Sequence, residues 1–195
     1  MKRIFLLLPI LALLGACAAP PVPKEQYFRL TAEAAPAKIE HPVEGAVEIA
    51  PFAGEGVLGE RPLLFTANGG QKLEQRSYAY WTDPPPTMVR DELVAYLRSA
   101  GAAEKIVDSE LRVDAKYLIQ GKLHRLEQVI DGKNGGAVEI ELSLIEKATD
   151  NLILSSVYKF EEPAAGDTID AAVTALNKAM NDVFAKFTAD LAARP

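Results

Sequence analysis

Between Val138 and Leu144 every second residue is apolar: Val138, Ile140, Leu142 and Leu144 are separated by Glu139, Glu141 and Ser143. Successive side chains of a strand point to opposite faces, so this spacing predicts an antiparallel strand with one dry and one wet face. A dry face has to be covered. From Asp167 to Ala193 the period changes to 3.6 residues, with Ile169, Val173, Leu176, Met180, Val183, Phe184, Phe187 and Leu191 on one stripe and Asp167 as the cap. A shorter stripe, Val89, Leu93, Tyr96, Leu97 and Ala100, predicts a second helix over 87–100, ended by Gly101. Thr82-Asp83-Pro84-Pro85-Pro86 opens it, with Thr82, Asp83 or Thr87 as cap and proline confined to the first turn.

The remaining segments supply the sheet. From Lys116 to Ile130, Tyr117, Ile119 and Leu123 share one face while Leu126 and Ile130 have the other parity, which a bulge near His124-Arg125 reconciles. After the turn Asp131 to Gly136 comes the alternating strand, then Thr149-Asp150-Asn151, then a third strand with Leu152, Leu154, Tyr158 and Phe160 on its dry side. Those three make a meander. Upstream, Gln26 to Thr31 and Val43 to Phe52 are strand-like, Ala103 to Val107 is a short strand, and 62–67 and 72–81 flank Asn68-Gly69-Gly70, a hairpin signal. The expected fold class is α+β: a mostly antiparallel sheet, hairpin plus three-stranded meander, with two amphipathic helices packed on one face.

The chain has one cysteine in 195 residues, two histidines and a formal net charge of -6. An intrachain disulfide is excluded, a cysteine zinc cage is excluded, and scattered basic residues give no footprint for nucleic acid. The cysteine has a telling position. Lys2 and Arg3 precede an apolar run from Ile4 to Leu14, of signal-peptide length and too short for the ~20 residues of a spanning helix. Leu14-Gly15-Ala16-Cys17 then resembles the bacterial lipobox. That resemblance implies cleavage before Cys17 and a diacylglyceryl thioether with an N-acyl chain such as palmitate; an ordinary secretory signal with a coincidental cysteine is the alternative. The implied organisation is a signal peptide at 1–16, a lipidated cysteine and Pro-rich tether at 17–25, and one α+β periplasmic domain at 26–195. Cleavage leaves 19 basic against 27 acidic residues. The absence of aspartate after Cys17 implies the outer rather than the inner membrane.

Catalytic constellations are sparse. His124 falls in a strand, His41 precedes Pro42, and neither has a partner at metal-ligand spacing. Gly54, Gly56 and Gly59 lead into no helix that would present its N-terminus to a phosphate. Glu139 and Glu141, about 7 Å apart along a strand, mimic an acid/base pair, but a solvated wet face accounts for them. No enzyme, metal or cofactor is expected beyond the covalent lipid. Tyr78, Tyr80 and Trp81 cluster where the hairpin meets the first helix, and read either as core packing or as a partner-binding or lipid-facing patch.

With the order of elements in hand, the chain resembles the ABC-type transport auxiliary lipoproteins. The resemblance lies in Gln26-Tyr27-Phe28-Arg29-Leu30, Glu48-Ile49 with Pro51-Phe52, Arg61-Pro62, Tyr80-Trp81-Thr82-Asp83-Pro84, Tyr117-Leu118-Ile119, Glu139-Ile140-Glu141-Leu142 and the long C-terminal helix. It implies an accessory role in a system with an MCE (mammalian cell entry) protein, an inner-membrane permease and an ATPase, moving lipids or other hydrophobic molecules between membranes. The lipoprotein would dock the conduit at the outer membrane and bind no nucleotide itself. From the residues alone, an envelope lipoprotein that scaffolds or activates a cell-wall enzyme stays open beside it.

Overall fold

The computed structural model describes residues 22–67 and 70–194. In chain order the strands before the first helix are β1 (Gln26–Phe28), β2 (Val43–Ile49), β3 (Ala53–Gly54), β4 (Pro62–Ala67) and β5 (Lys72–Trp81). Helix α1 (Pro85–Ser99) is followed by β6 (Ala103–Asp108), β7 (Tyr117–Val129), β8 (Gly135–Glu146), β9 (Asn151–Pro163) and helix α2 (Ile169–Ala192).

Strand β7 is the spine of one sheet. On one edge it pairs antiparallel with β8, which pairs antiparallel with β9, giving the expected meander. Its other edge is shared by three strands laid end to end, all parallel to it: β2 beside Tyr117–Ile119, β3 beside Lys122–Leu123 and β4 beside Glu127–Val129. The sheet therefore forks. One arm continues from β2 to the parallel β6; the other runs from β4 through the antiparallel β5 to the parallel β1. Five of the eight pairings among the described residues are parallel, which corrects the expectation of a mostly antiparallel sheet. Alternation predicts strands and local turns predict hairpins, but a parallel neighbour arrives through a crossover that leaves no local trace.

The register of β7 shifts where its two phases conflict. Leu123 pairs with Ile140 and Arg125 with Glu139, leaving His124 as the extra residue. That bulge lets Ile119, Leu123 and Leu126 all reach the core, each at most 1% exposed, while Ile130 falls beyond the strand. A second extra residue, Ile153, sits in β9 between Leu152 and Leu154. It takes Leu152 off the dry row, and Leu152 is exposed, contrary to its predicted place.

Both helices contribute their stripes to the core formed with Val138, Ile140, Leu142 and Leu144, and the rings of Tyr96 and Phe184 meet at 5.6 Å. Burial of these stripes, at about 25 cal/mol per Å2 of apolar surface, is the main stabilising term. The caps differ from expectation. Pro84 is the N-cap of α1, with no side-chain cap bond, and Thr168 rather than Asp167 caps α2 by accepting from the Ala171 amide at 3.1 Å. Prolines at the first helical turn lack only amides that would have no intrahelical partner.

Tyr158 ties β9 to the end of α2. Its ring packs edge-on against Phe187 and its hydroxyl donates to Asp190 at 3.0 Å. Burial first, and then the Asp190 carboxylate, hold its hydroxyl above the usual phenol range. Because the folded state favours the neutral phenol, its contribution is fully present below the ordinary value of ~10 and is lost as pH rises towards the folded one. Stability is expected to fall in that alkaline window, and Tyr158→Phe to flatten the fall. Denaturant midpoints measured across pH 9 to 12 check it; equal slopes in both proteins would contradict it.

Candidate functional site

The three aromatic residues singled out in the sequence separate in the structure. Trp81 is wholly buried in the core with Ala79, whereas Tyr78 is 38% exposed and Tyr80 is half-buried. The division comes from an irregularity in the hairpin. Pro62 pairs with Tyr80 and Leu64 with Gln75, so the four residues Arg76 to Ala79 face the single Leu63. The excess chain buckles outward, and Tyr78 takes a left-handed backbone with φ 61°. A bulky residue adopts that conformation only at a cost of order 1–3 kcal/mol, which the surrounding contacts must offset.

Those contacts are specific. The Trp81 amide donates to the Arg61 carbonyl at 2.7 Å, and Arg61 Nε donates back to the Trp81 carbonyl at 3.0 Å. At the other end of the buckle Arg76 Nε donates to Gln128 Oε1 at 2.9 Å, and its guanidinium lies 4.1 Å from the Phe65 ring centroid. Gln128, itself buried, passes the connection to Asn134 Oδ1 at 2.6 Å. Asn134 in turn donates to the Gly166 carbonyl, ahead of α2. The buckle is thus fastened to the same polar chain that positions the long helix.

Strand β1 adds what the sequence did not reveal. Its parallel register sets Tyr27 beside Tyr80, ring centroids 5.8 Å apart, with the Arg61 guanidinium 5.5 Å from the Tyr27 ring. Tyr27 is 54% exposed. Its hydroxyl donates to Glu25 Oε2 at 2.6 Å, and that carboxylate holds the phenol above its usual range. Pro62, Gln75, Arg76, Ser77, Tyr78 and Tyr80 line an open cleft of about 420 Å3 next to this pair. The result is a surface on which Tyr27, Tyr78 and Arg61 are exposed and Tyr80 and Arg76 are half-buried. Tyr27, Arg61 and Arg76 were not singled out from sequence because only the β1–β5 pairing and the hairpin buckle bring them to Tyr78 and Tyr80.

The other candidates resolve into polar contacts with their neighbours. Glu139 lies 3.0 Å from Lys159, and Glu141 lies 3.3 Å from His124 Nε2. His124 Nδ1 is 3.4 Å from Glu55, which also pairs with Lys122 at 2.5 Å. Hydrogen bonds from Lys122 and His124 hold the Glu55 carboxyl below its ordinary range. His41 accepts a hydrogen bond from Arg194 at its backbone carbonyl. Among the described residues no three His, Cys, Asp or Glu side chains are grouped to hold a metal ion, and no helix is long and apolar enough to cross a membrane. Leu14, Gly15, Ala16 and Cys17 lie outside the described residues.

The fold has relatives among solved structures. A Xanthomonas campestris protein of the DUF330 family model superposes with a TM-score of 0.75 at 15% identity, over 84% of this chain and 92% of its own. A hypothetical protein from Chlamydia trachomatis gives 0.52 at 10% identity, over 77% of this chain and 99% of its own. These likenesses concern the fold alone. No curated protein matches the chain by sequence. The family model of the ABC-type transport auxiliary lipoprotein component matches residues 28–187, from the end of β1 into the last turns of α2, and the chain belongs to that family.

Proposed function

We propose that this auxiliary lipoprotein is held at the outer membrane by a lipid on Cys17, faces the periplasm, and docks an MCE conduit there for the ABC permease and ATPase that drive transport. The observation that carries the reading is the family match across β1 to α2. The lipobox Leu14-Gly15-Ala16-Cys17 and the short Pro-rich stretch before β1 support the anchor. Two or more acyl chains make attachment stable where one is marginal. The work assigned to the folded part is recognition, because its wet-face carboxylates are engaged with lysine, arginine and histidine neighbours. Tyr27, Tyr78 and Tyr80 with Arg61 form the surface for it, since tyrosine and arginine are enriched among the residues that dominate binding once a partner covers them.

Affinity capture of the full-length lipoprotein from membranes, after mild cross-linking, tests the partner. MCE and ABC subunits are expected to co-purify, and their absence would end this reading. The anchor has its own test. Cys17→Ala is expected to move the protein out of the membrane fraction with its folded part intact; continued membrane attachment would remove the lipid from the proposal.

A further inference from the structure

Strand β9 has a neighbour on one side only: among the described residues it pairs with β8 and with no other strand. An edge of 13 residues presents a row of unpaired amides and carbonyls, which proteins blunt with bulges, charges or proline. Here the blunting is confined to the ends. The Ile153 bulge interrupts the start, and Glu161, Glu162 and Pro163 close the finish. Between them, Leu154 to Phe160 keeps an uninterrupted register against β8 and carries one charge, Lys159. Val157 stands in the wet row between Ser155 and Lys159, opposite Glu141, and is 49% exposed. An apolar side chain in the middle of a polar row, at an open edge, is placed for contact from outside.

We propose that β9 is a self-pairing edge: two copies of this chain join β9 to β9, antiparallel, about a two-fold axis at Val157, so that one sheet runs through both. The charges fit this register. Val157 meets its counterpart, Lys159 faces Ser155, Tyr158 faces Ser156, and Phe160 faces Leu154, so no like charges stand opposite or diagonal to each other. Moving the axis two residues either way loses the match. At Ser155 the new ladder runs into the Ile153 bulge; at Lys159 two lysines oppose each other. In the Val157 register the half-buried Leu154 and Phe160 become covered by one another across the axis. The surface is isologous, the commonest way for a homo-oligomer to close. It does not depend on the transport reading.

The test uses the full-length lipoprotein in its membranes, with one cysteine introduced at a time. Val157→Cys places the two thiols at the axis, and oxidation is expected to give a disulfide-linked species of twice the mass. Leu152→Cys is equally exposed, but the register sets its two copies ~33 Å apart at ~3.3 Å per residue, so no link is expected. The unsubstituted chain controls for Cys17. In mild detergent, sedimentation of the native protein should report a dimer, and Val157→Lys should raise its dissociation constant by ~tenfold or more while its circular dichroism spectrum stays that of the native fold. A monomeric native protein, no link through position 157, or equal linking at 152 and 157 would each overturn the proposal.

Discussion

Replacing Trp81 with alanine is expected to lower folding stability by about 3–5 kcal/mol, the range for emptying a large aromatic site in a packed core. The indole is wholly buried at the end of β5, at the junction with α1. A domain with a total stability of roughly 5–15 kcal/mol keeps little margin after that loss. Trp81→Phe should cost much less. It retains most of the apolar contact, and the indole nitrogen it removes has no hydrogen-bond partner. Tyr78 is expected to behave in the opposite way. Tyr78→Gly removes an exposed ring and releases the left-handed strain, so stability should stay within about 1 kcal/mol of the native value while partner capture falls. Urea unfolding of the three variants separates the residues. Equal losses for Trp81→Ala and Tyr78→Gly would show that the aromatic cluster acts as one unit.

The second large effect is expected at Gly136. Glycine in a strand is ordinarily a weak choice, and alanine there would gain roughly 0.5–1 kcal/mol. Gly136 reverses the sign because α2 lies directly on it. An added Cβ would sit 2.6 Å from the Leu176 amide nitrogen and 2.9 Å from the Leu176 Cα. Those are backbone atoms of a helix held by its whole apolar stripe, so the strain has no flexible side chain to relax into. Overpacking of this kind costs about 1–3 kcal/mol, which outweighs the propensity gain. Gly136→Ala is therefore expected to lower the thermal midpoint by several degrees, and Gly136→Val by more as the helix is levered off β8. Gly59, with nothing within 4 Å of the same atom, is the control, and Gly59→Ala should be neutral. An unchanged midpoint for Gly136→Val would mean that α2 does not seat on β8 as closely as described.

Much of this protein was legible where the information is local. The alternation at Val138 to Leu144 became β8, and the two stripes became α1 and α2 within a few residues of their predicted ends. The phase conflict around His124 became a one-residue bulge. At the candidate site, strand parity separates Tyr78 and Tyr80 from Trp81, and the structure buries Trp81 in the core while Tyr78 stays exposed. Parity misplaced Leu152 for the same reason it cannot describe the buckle before Trp81. It assumes that every residue advances the strand by one step, and an extra residue breaks the count.

The sequence by itself determined the elements and which face of each is apolar, because both periodicities are properties of a single segment. It also holds a single cysteine, Cys17, directly after Leu14-Gly15-Ala16, and the proposed lipid anchor rests on that position. Only the tertiary structure decided that β2, β3 and β4 line one edge of β7 in parallel, and that β1 returns to β5. It also decided that Tyr27 and Arg61 stand beside Tyr80, and that β9 pairs, among the described residues, with β8 alone. Those are pairings between residues far apart in the chain. They are settled by crossovers and by the burial of whole faces at once, which no window of local sequence contains.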